Sequence, residues 1–271
     1  MRPPLSEQEA RTLFRLYMQV TDVPRLEPRS EGDPRLRGRK VGIINGSSWI
    51  TLWSNYFGRM FLPEVQLINV GNEAVQLNFM RAHREGRPTP PSVNIEAFAR
   101  YAQDLMELVG VDVILISCST MNRSYHRVQQ AVAQYGVPVI PIDLPMMEKA
   151  ALRGGRVLLV ATHGPTVEST SKLLQETADR LGVHVESAGA TVEEAFDLLG
   201  QGRIEEHNEA IAEAIRKALR EQPINTVVLA QLSMTVFKLS YPNPQESLGV
   251  EVLTSGEEGF RRVREVLLSL E

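Results

Sequence analysis

The chain contains 271 residues, of which 43% are hydrophobic and 23% charged, and this composition is typical of a globular protein with a hydrophobic core. It excludes disordered, collagen-like and disulfide-scaffold proteins. The 29 basic and 33 acidic residues give a net charge of −4, which argues against nucleic acid as a partner. The longest apolar stretches, such as 111–116 and 157–161, are far shorter than the roughly 18 residues of a membrane-spanning helix, so we expect no membrane partner.

The N-terminal segment 1–40 is predicted to be an arm outside the main fold. Positions 6–20 have the apolar spacing of an amphipathic helix, with Ser6 and Glu9 placed as a capping box. Positions 22–40 contain three prolines and mixed charge, which is typical of a surface linker. We expect the arm to pack on the body or on another subunit, so a homodimer or higher homo-oligomer is a possible assembly. No apolar signal-peptide segment is present at the start, which favours a cytoplasmic location.

From residue 41 onward, short β-branched runs alternate with helical patterns, which indicates repeated βαβ units and parallel sheets. The predicted strands cover 41–45, 65–70, 111–117, 137–142, 156–162, 183–188, 226–230 and 250–254. The predicted helices cover 50–60, 95–109, 124–135, 167–181, 207–221 and 257–270.

The second half of the chain repeats the strand pattern of the first half. Residues 224–231 align with 111–118, and residues 249–254 align with 136–141, in both cases with a shift of 113 positions. The opening strands of the two halves differ by 116 positions, from 41 to 157. We infer an internal duplication.

The duplication predicts an α/β fold of two pseudo-symmetric domains, each a four-stranded parallel sheet flanked by helices, with an active-site cleft between them. The first domain is predicted at 41–148 and the second at 149–255. The C-terminal helix, 256–271, is expected to return to the first domain.

Ligands of parallel α/β sheets collect beyond the carboxyl ends of the strands, where helix N-termini present free backbone amides. The residues at the predicted strand ends are mostly small hydroxyl and amide side chains, which suit a small anion and offer no metal site. No lysine or arginine stands clearly at a strand end, which favours a substrate with a neutral or apolar side chain. The candidate substrate-binding residues are Asn45, Gly46, Ser47, Ser48, Asn72, Ser119, Thr120, Thr162, Thr166, Gln231 and Ser233.

Cys118 is the single cysteine, so the chain can form neither an intramolecular disulfide nor a thiolate metal cluster. A lone cysteine is usually a small core residue. Cys118, however, stands at the last position of a predicted strand, just before a predicted helix, where free amides and the helix dipole lower the pKa of a thiol. This placement favours a catalytic thiol. Asp143, after the fourth strand, is expected to cap a helix or to support Cys118 or His163.

At these positions the chain resembles the aspartate/glutamate/hydantoin racemase superfamily, from about residue 41 to the C-terminus. The matching segments are 41–49 (VGIINGSSW) with Tyr56 and Phe57 following, 116–120 (ISCST), 159–162 (LVAT) and 252–255 (VLTS). The segment 116–120 is similar to a Cys-Asn-Thr segment of that family, although Ser119 stands where the family often has asparagine.

The resemblance implies pseudo-symmetric domains around a cleft. In that cleft two cysteines, one from each domain, act on opposite faces of a carbon beside a carboxylate, without pyridoxal, metal or another cofactor. It implies a small carboxylate as substrate and assigns binding and turnover to Cys118, Ser119, Thr120 and the segments 45–48 and 162–166. Racemisation or epimerisation of an amino acid or hydantoin is the activity that it implies first.

The chain departs from this pattern at the second cysteine. The shift of 113 positions places Gln231 opposite Cys118, and a glutamine cannot act as a general acid or base. Three alternatives follow. His163 could act as a second catalytic base; Cys118 could be the single base of a decarboxylase or cis/trans isomerase, with Gln231 hydrogen-bonding the substrate; or the chain could be a non-catalytic protein that binds a small ligand.

Overall fold

The computed structural model describes residues 5–21 and 32–270. Within these residues, eight strands form two four-stranded parallel sheets with the strand orders β2-β1-β3-β4 and β6-β5-β7-β8. This confirms the predicted α/β fold. The first sheet contains β1 (Lys40–Asn45), β2 (Gln66–Gly71), β3 (Val113–Ile116) and β4 (Val139–Pro141). The second contains β5 (Arg156–Ala161), β6 (Glu186–Thr191), β7 (Thr226–Leu229) and β8 (Glu251–Thr254).

The central strands of the first sheet are buried on both faces. Alternate residues of β1 and β3 enter different cores, with Ile43 and Leu115 in one and Ile44 and Ile116 in the other. Burial on both faces explains why these strands read as continuous apolar runs. The helices of the described residues are α1 (Glu7–Thr21), α2 (Ile50–Phe61), α3 (Glu73–Arg84), α4 (Ser92–Leu108), α5 (Tyr125–Ala131), α6 (Leu144–Arg153), α7 (Gly164–Leu181), α8 (Glu193–Gly200), α9 (Ile204–Glu221), α10 (Phe237–Ser240), α11 (Pro244–Leu248) and α12 (Ser255–Ser269).

The hydrogen-bonded ladders of the two sheets follow the internal repeat. In the first sheet Val41 pairs with Val113, and in the second Val157 pairs with Thr226. The shifts from 41 to 157 and from 113 to 226 are the 116 and 113 positions read from the sequence. Residue 231 therefore holds in the second sheet the place that Cys118 holds in the first.

The last helix, α12, packs on the first sheet although it follows the last strand of the second. Phe260, Val263 and Leu267 share one core with Val41 and Leu115. The two halves of the chain therefore share this core, and residues of both halves also line the cavity described below.

The N-terminal helix α1 is fixed at both ends. Its predicted capping box is present, because the backbone N–H of Ser6 donates to the Glu9 carboxylate at 2.8 Å and the Glu9 N–H donates to Ser6 Oγ at 3.3 Å. At the other end, Arg59 of α2 donates to the carbonyl oxygens of Val20 at 2.6 Å and Thr21 at 2.9 Å. Most of the predicted linker, at 22–31, lies outside the described residues.

One strand begins three residues later than predicted. The apolar residues of the predicted strand 183–188 begin in the connection after α7, where Val183 and Val185 pack against a core. The strand itself, β6, lies at the sheet edge and is built of small and polar residues, largely exposed. The apolar residues on which the predicted strand was based therefore belong to the connection and not to the strand.

Five helices were not predicted, namely α3, α6, α8 and the short α10 and α11. The predicted helix 124–135 is divided into α5 and a 3₁₀ turn at Ala133–Tyr135, and a 3₁₀ helix, Ser119–Ser124, precedes it. Across the described residues, none of the helices has the length and apolar content needed to span a bilayer.

Candidate active site

A cavity of about 500 Å³ lies at the carboxyl ends of both sheets. This volume is within the range of small-molecule sites, and the location is where parallel α/β sheets bind ligands. Segments that follow β1, β3, β5 and β7 line it together with α3 and α8. The lining residues are Gly46, Ser47, Trp49, Ile50, Val75, Gln76, Phe79, Met80, His83, Ser117, Cys118, Ser119, Thr120, Met121, His163, Gly164, Thr166, Glu193, Phe196, Gln231, Leu232 and Ser233.

Most of the residues predicted from the sequence meet in this cavity. Those that line it are Gly46, Ser47, Cys118, Ser119, Thr120, His163, Thr166, Gln231 and Ser233. The others, Asn45, Ser48, Asn72 and Thr162, do not line it, and their side chains are hydrogen-bonded to other protein groups.

These remaining side chains organise the structure around the cavity. Asn45 is buried and donates to Asn69 at 3.1 Å. Asn72 accepts a backbone N–H of α3 at 2.9 Å and so caps that helix. The hydroxyl of Ser48 bonds to the carboxylate of Glu73, also on α3. Asn72 and Ser48 therefore fix the start of a helix that lines the cavity.

Cys118 lies two residues after the end of β3, at the start of a 3₁₀ helix, and its sulfur is 3.3 Å from the hydroxyl oxygen of Thr120. Because Ile44 of β1 pairs with Ile116 of β3, the next residues place Gly46 beside the thiol. A Cβ at position 46 would lie 2.7 Å from the sulfur of Cys118. Any side chain there would displace the thiol, so glycine is a steric requirement of this arrangement.

The surroundings of Cys118 raise the pKa of its thiol. Burial is the largest cause, and the Asp143 carboxylate acts in the same direction, while hydrogen bonds from Thr120 and from the backbone amides of Met121 and Gly46 oppose them. The sequence-based expectation of a lowered pKa was therefore wrong. The amides are present as expected, but the cost of burying a thiolate outweighs them. At neutral pH the sulfur carries a proton that it can donate.

Gln231 occupies the place equivalent to Cys118, after β7. Its Oε1 accepts from both the backbone N–H of Thr162 at 2.8 Å and the hydroxyl of Thr162 at 2.9 Å. These two hydrogen bonds from one residue fix the orientation of the amide, and the Nε2 atom remains as a donor at the cavity. The pair Thr162 and Gln231 thus corresponds to the pair Gly46 and Cys118 of the first sheet.

His163 follows Thr162 and lies against Phe196, with 4.7 Å between the ring centroids. Burial lowers the pKa of His163, and the nearby carboxylates of Glu193 and Asp197 oppose this effect. The imidazole is therefore neutral at physiological pH and can accept a proton or a hydrogen bond.

Asp143 is a buried carboxyl at the start of α6, and Asn122 donates to its Oδ2 at 2.6 Å. Burial raises the pKa of Asp143 to about 7, against the opposing effect of polar groups on Ser119, Asn122 and Ser255. Asp143 does not line the cavity, but its charge acts on Cys118. The hypothesis of a supporting carboxylate therefore has a physical basis.

The sequence analysis missed the part of the lining that comes from α3 and α8. His83 is not among the predicted site residues, yet it lines the cavity together with Phe79 and Met80. These residues share one helical face, and that periodicity was the available signal. In the described part of the chain, no cluster of three or more His, Cys, Asp or Glu side chains is arranged for a metal ion.

The fold and site define a pseudo-symmetric α/β protein whose small-molecule cavity contains a half-buried thiol between two parallel sheets. A family model described as Asp/Glu/hydantoin racemase matches residues 75–263. The chain belongs to this family, which confirms the resemblance read from the sequence. A search of curated proteins finds no match.

Several solved structures share the fold. An aspartate racemase homologue from Pyrococcus horikoshii is 22% identical, with a TM-score of 0.63, and the match covers 84% of this chain and 99% of that one. Allantoin racemase from Klebsiella pneumoniae is 18% identical, with a TM-score of 0.59, over 85% of this chain and 88% of that one. A single-site variant of arylmalonate decarboxylase is 16% identical, with a TM-score of 0.56, over 86% and 94%.

The raised pKa of Cys118 predicts slow alkylation at neutral pH, because iodoacetamide reacts with the thiolate. We expect the rate to rise with pH and to reach its midpoint above the ~8.5 of a free cysteine. Mass spectrometry of the single adduct measures this rate. Restricted access to the thiol would lower the rate at every pH, whereas a raised pKa shifts the midpoint, so the midpoint distinguishes the two causes of slow alkylation. The same chain in denaturant should give the ordinary midpoint. A native midpoint below that of the unfolded chain would contradict the assignment.

The buried carboxyl of Asp143 predicts that stability decreases as pH rises. Its folded-state pKa of about 7 exceeds the unfolded value of ~3.9, so between these values the folded state holds a proton that the unfolded state has lost. The free energy of unfolding should fall by up to about 4 kcal/mol across this window. Asp143→Asn should remove this decrease in urea denaturation measured from pH 4 to 8. Exposed Asp104→Asn, the control, should keep it; identical pH dependence in all three proteins would contradict the prediction.

Proposed function

We propose that the chain is a cofactor-independent enzyme that transfers a proton at the carbon beside a carboxylate, with Cys118 as the single acid/base. The observation that carries this proposal is the unequal pair at the strand ends. Cys118 beside Gly46 supplies a thiol proton, whereas Gln231 beside Thr162 supplies a fixed amide donor. The two positions are equivalent in the internal repeat, so the two side chains would contact the substrate from opposite sides.

The cavity contains hydrogen-bond donors from both sheets that are suited to binding a carboxylate. Gln231 Nε2 is a donor that the two hydrogen bonds to Oε1 hold in place. Ser47 is 2% exposed, lines the cavity, and its hydroxyl has no partner among the described residues. Such preorganised donors stabilise negative charge that develops on a carboxylate when its neighbouring carbon becomes a carbanion. Gln231 and Ser47 are proposed to bind the substrate carboxylate.

A protonated thiol suits a reaction that ends with protonation of carbon. In a decarboxylation, the bond from the α-carbon to the leaving carboxylate breaks, and its electron pair passes into the enediolate of the remaining carboxylate. Cys118 S–H then gives its proton to that carbon, and the resulting thiolate recovers a proton from solvent. In a cis/trans isomerisation, the thiolate would instead add to an alkene carbon and leave after bond rotation.

A racemase or epimerase is the second candidate. The observation that favours it is the neutral imidazole of His163, which lines the same cavity as Cys118. His163 would then take or give the proton on the face that Gln231 cannot serve. Because the family includes racemases, two-base racemisation is the main alternative to the single-base reaction.

We predict that Cys118→Ser lowers the turnover by at least about 100-fold, which is the lower end of the contribution of a positioned acid/base, while ligand binding is kept. The measurement is proton NMR in D₂O of deuterium incorporation beside the carboxylate, on a panel of amino acids, hydantoins and small dicarboxylic acids. Single-base chemistry labels one face and survives in His163→Gln.

Two results would overturn this proposal. Inversion of both enantiomers that is lost in His163→Gln would establish the two-base racemase. Absence of turnover on the panel, with equal ligand binding by the parent chain and Cys118→Ser, would indicate the non-catalytic binding protein.

A further inference from the structure

One side of the cavity is an apolar surface built mainly by α3. Val75, Phe79 and Met80 line the cavity from this helix, and the four-residue spacing of Val75 and Phe79 places these two on one face. Trp49, at the start of α2, and Phe196 of α8 continue the surface. The strand-end donors come from the segments after β1, β3, β5 and β7, whereas this surface comes mainly from α3, where Gln76 and His83 also line the cavity. The cavity therefore has a mainly polar and a mainly apolar part.

Parts of this surface are open to solvent. Trp49 is 40% exposed and Met80 is 43% exposed. Covering exposed aromatic and methionine side chains around a concave site with an apolar group is favourable, because apolar area is removed from water. A ligand that reaches from the strand ends to α3 would supply that cover.

The charges that line the cavity also favour an apolar side group. Glu193 of α8 lines the cavity and its carboxylate acts on His163, so a carboxylate at the end of the substrate's side group would meet a like charge. Among the described residues that line the cavity there is no lysine or arginine to offset it. Burial of an unpaired carboxylate is costly, whereas an apolar group beside Phe79 and Phe196 is stabilised.

We infer that the substrate carries an aryl or branched alkyl group on the carbon beside its carboxylate, and that the cavity face of α3 binds this group. The inference rests on the proposed function for one point only, the position of the carboxylate beside Cys118 and Gln231. It excludes aspartate and glutamate, whose second carboxylate would enter the apolar part, as the preferred substrates.

Affinity for non-reacting ligands tests this inference without turnover. In NMR titrations of the full chain, the Kd should fall from acetate through butanoate to 4-methylpentanoate, by up to about fourfold for each buried methylene. Phenylacetate should bind at least tenfold more tightly than glutarate. Equal or tighter binding of glutarate would overturn the inference.

Two variants on the same helix locate the apolar site. Phe79→Arg should weaken phenylacetate at least tenfold and strengthen glutarate, because it adds a cation inside the apolar part. Leu77→Arg, at a position 70% exposed and outside the lining, is the matched control and should change neither ligand. Met80→Arg, at a more exposed position, repeats the test if Phe79→Arg does not fold. Equal effects at positions 77 and 79, or none at 79 and 80, would overturn the inference.

These results are separable from the proposed chemistry. Tight apolar binding without proton exchange would retain this inference and overturn the proposed function. Exchange on aspartate or glutamate through Cys118, without apolar binding, would retain the chemistry and overturn this inference.

Discussion

The site depends on parallel pairing at the centre of each sheet. β1 pairs with β3 and β5 with β7, so two chain segments far apart in sequence end side by side. In the first sheet this brings Gly46 within contact of the Cys118 sulfur. In the second it brings Thr162 within hydrogen-bond distance of Gln231. The chemistry of each half is thus decided by one pair of adjacent strand ends.

The repeat makes the differences between the halves informative. The same backbone arrangement holds a glycine and a thiol on one side, and a threonine and an amide on the other. α3 and α8 follow equivalent strands, yet α3 supplies an apolar surface and α8 supplies Glu193 and Phe196. A symmetric frame therefore carries an asymmetric site, in which proton transfer, carboxylate binding and recognition of a side group have separate places.

The sequence predicted the sheets and the register because buried parallel strands are continuous apolar runs and because the duplication repeats them. It predicted Cys118 and Gln231 as partners for the same reason. It missed α3 and α8 because short amphipathic helices with mixed charge resemble loops. It also gave the wrong direction for the pKa of Cys118, since residue order indicates nearby amides but not how deeply the sulfur is buried. The carboxyl of Asp143, 25 positions away along the chain, acts on that thiol only through the fold.

The central claim is that Gln231 limits proton transfer to one face. The most direct measurement is the stereochemical course of exchange in D₂O for the parent chain and for Thr162→Gly with Gln231→Cys, which rebuilds the first-sheet pair in the second sheet. The account predicts exchange of one enantiomer without inversion in the parent and exchange of both with inversion in the double variant. Inversion of both enantiomers by the parent chain, unchanged in the variant, would contradict it.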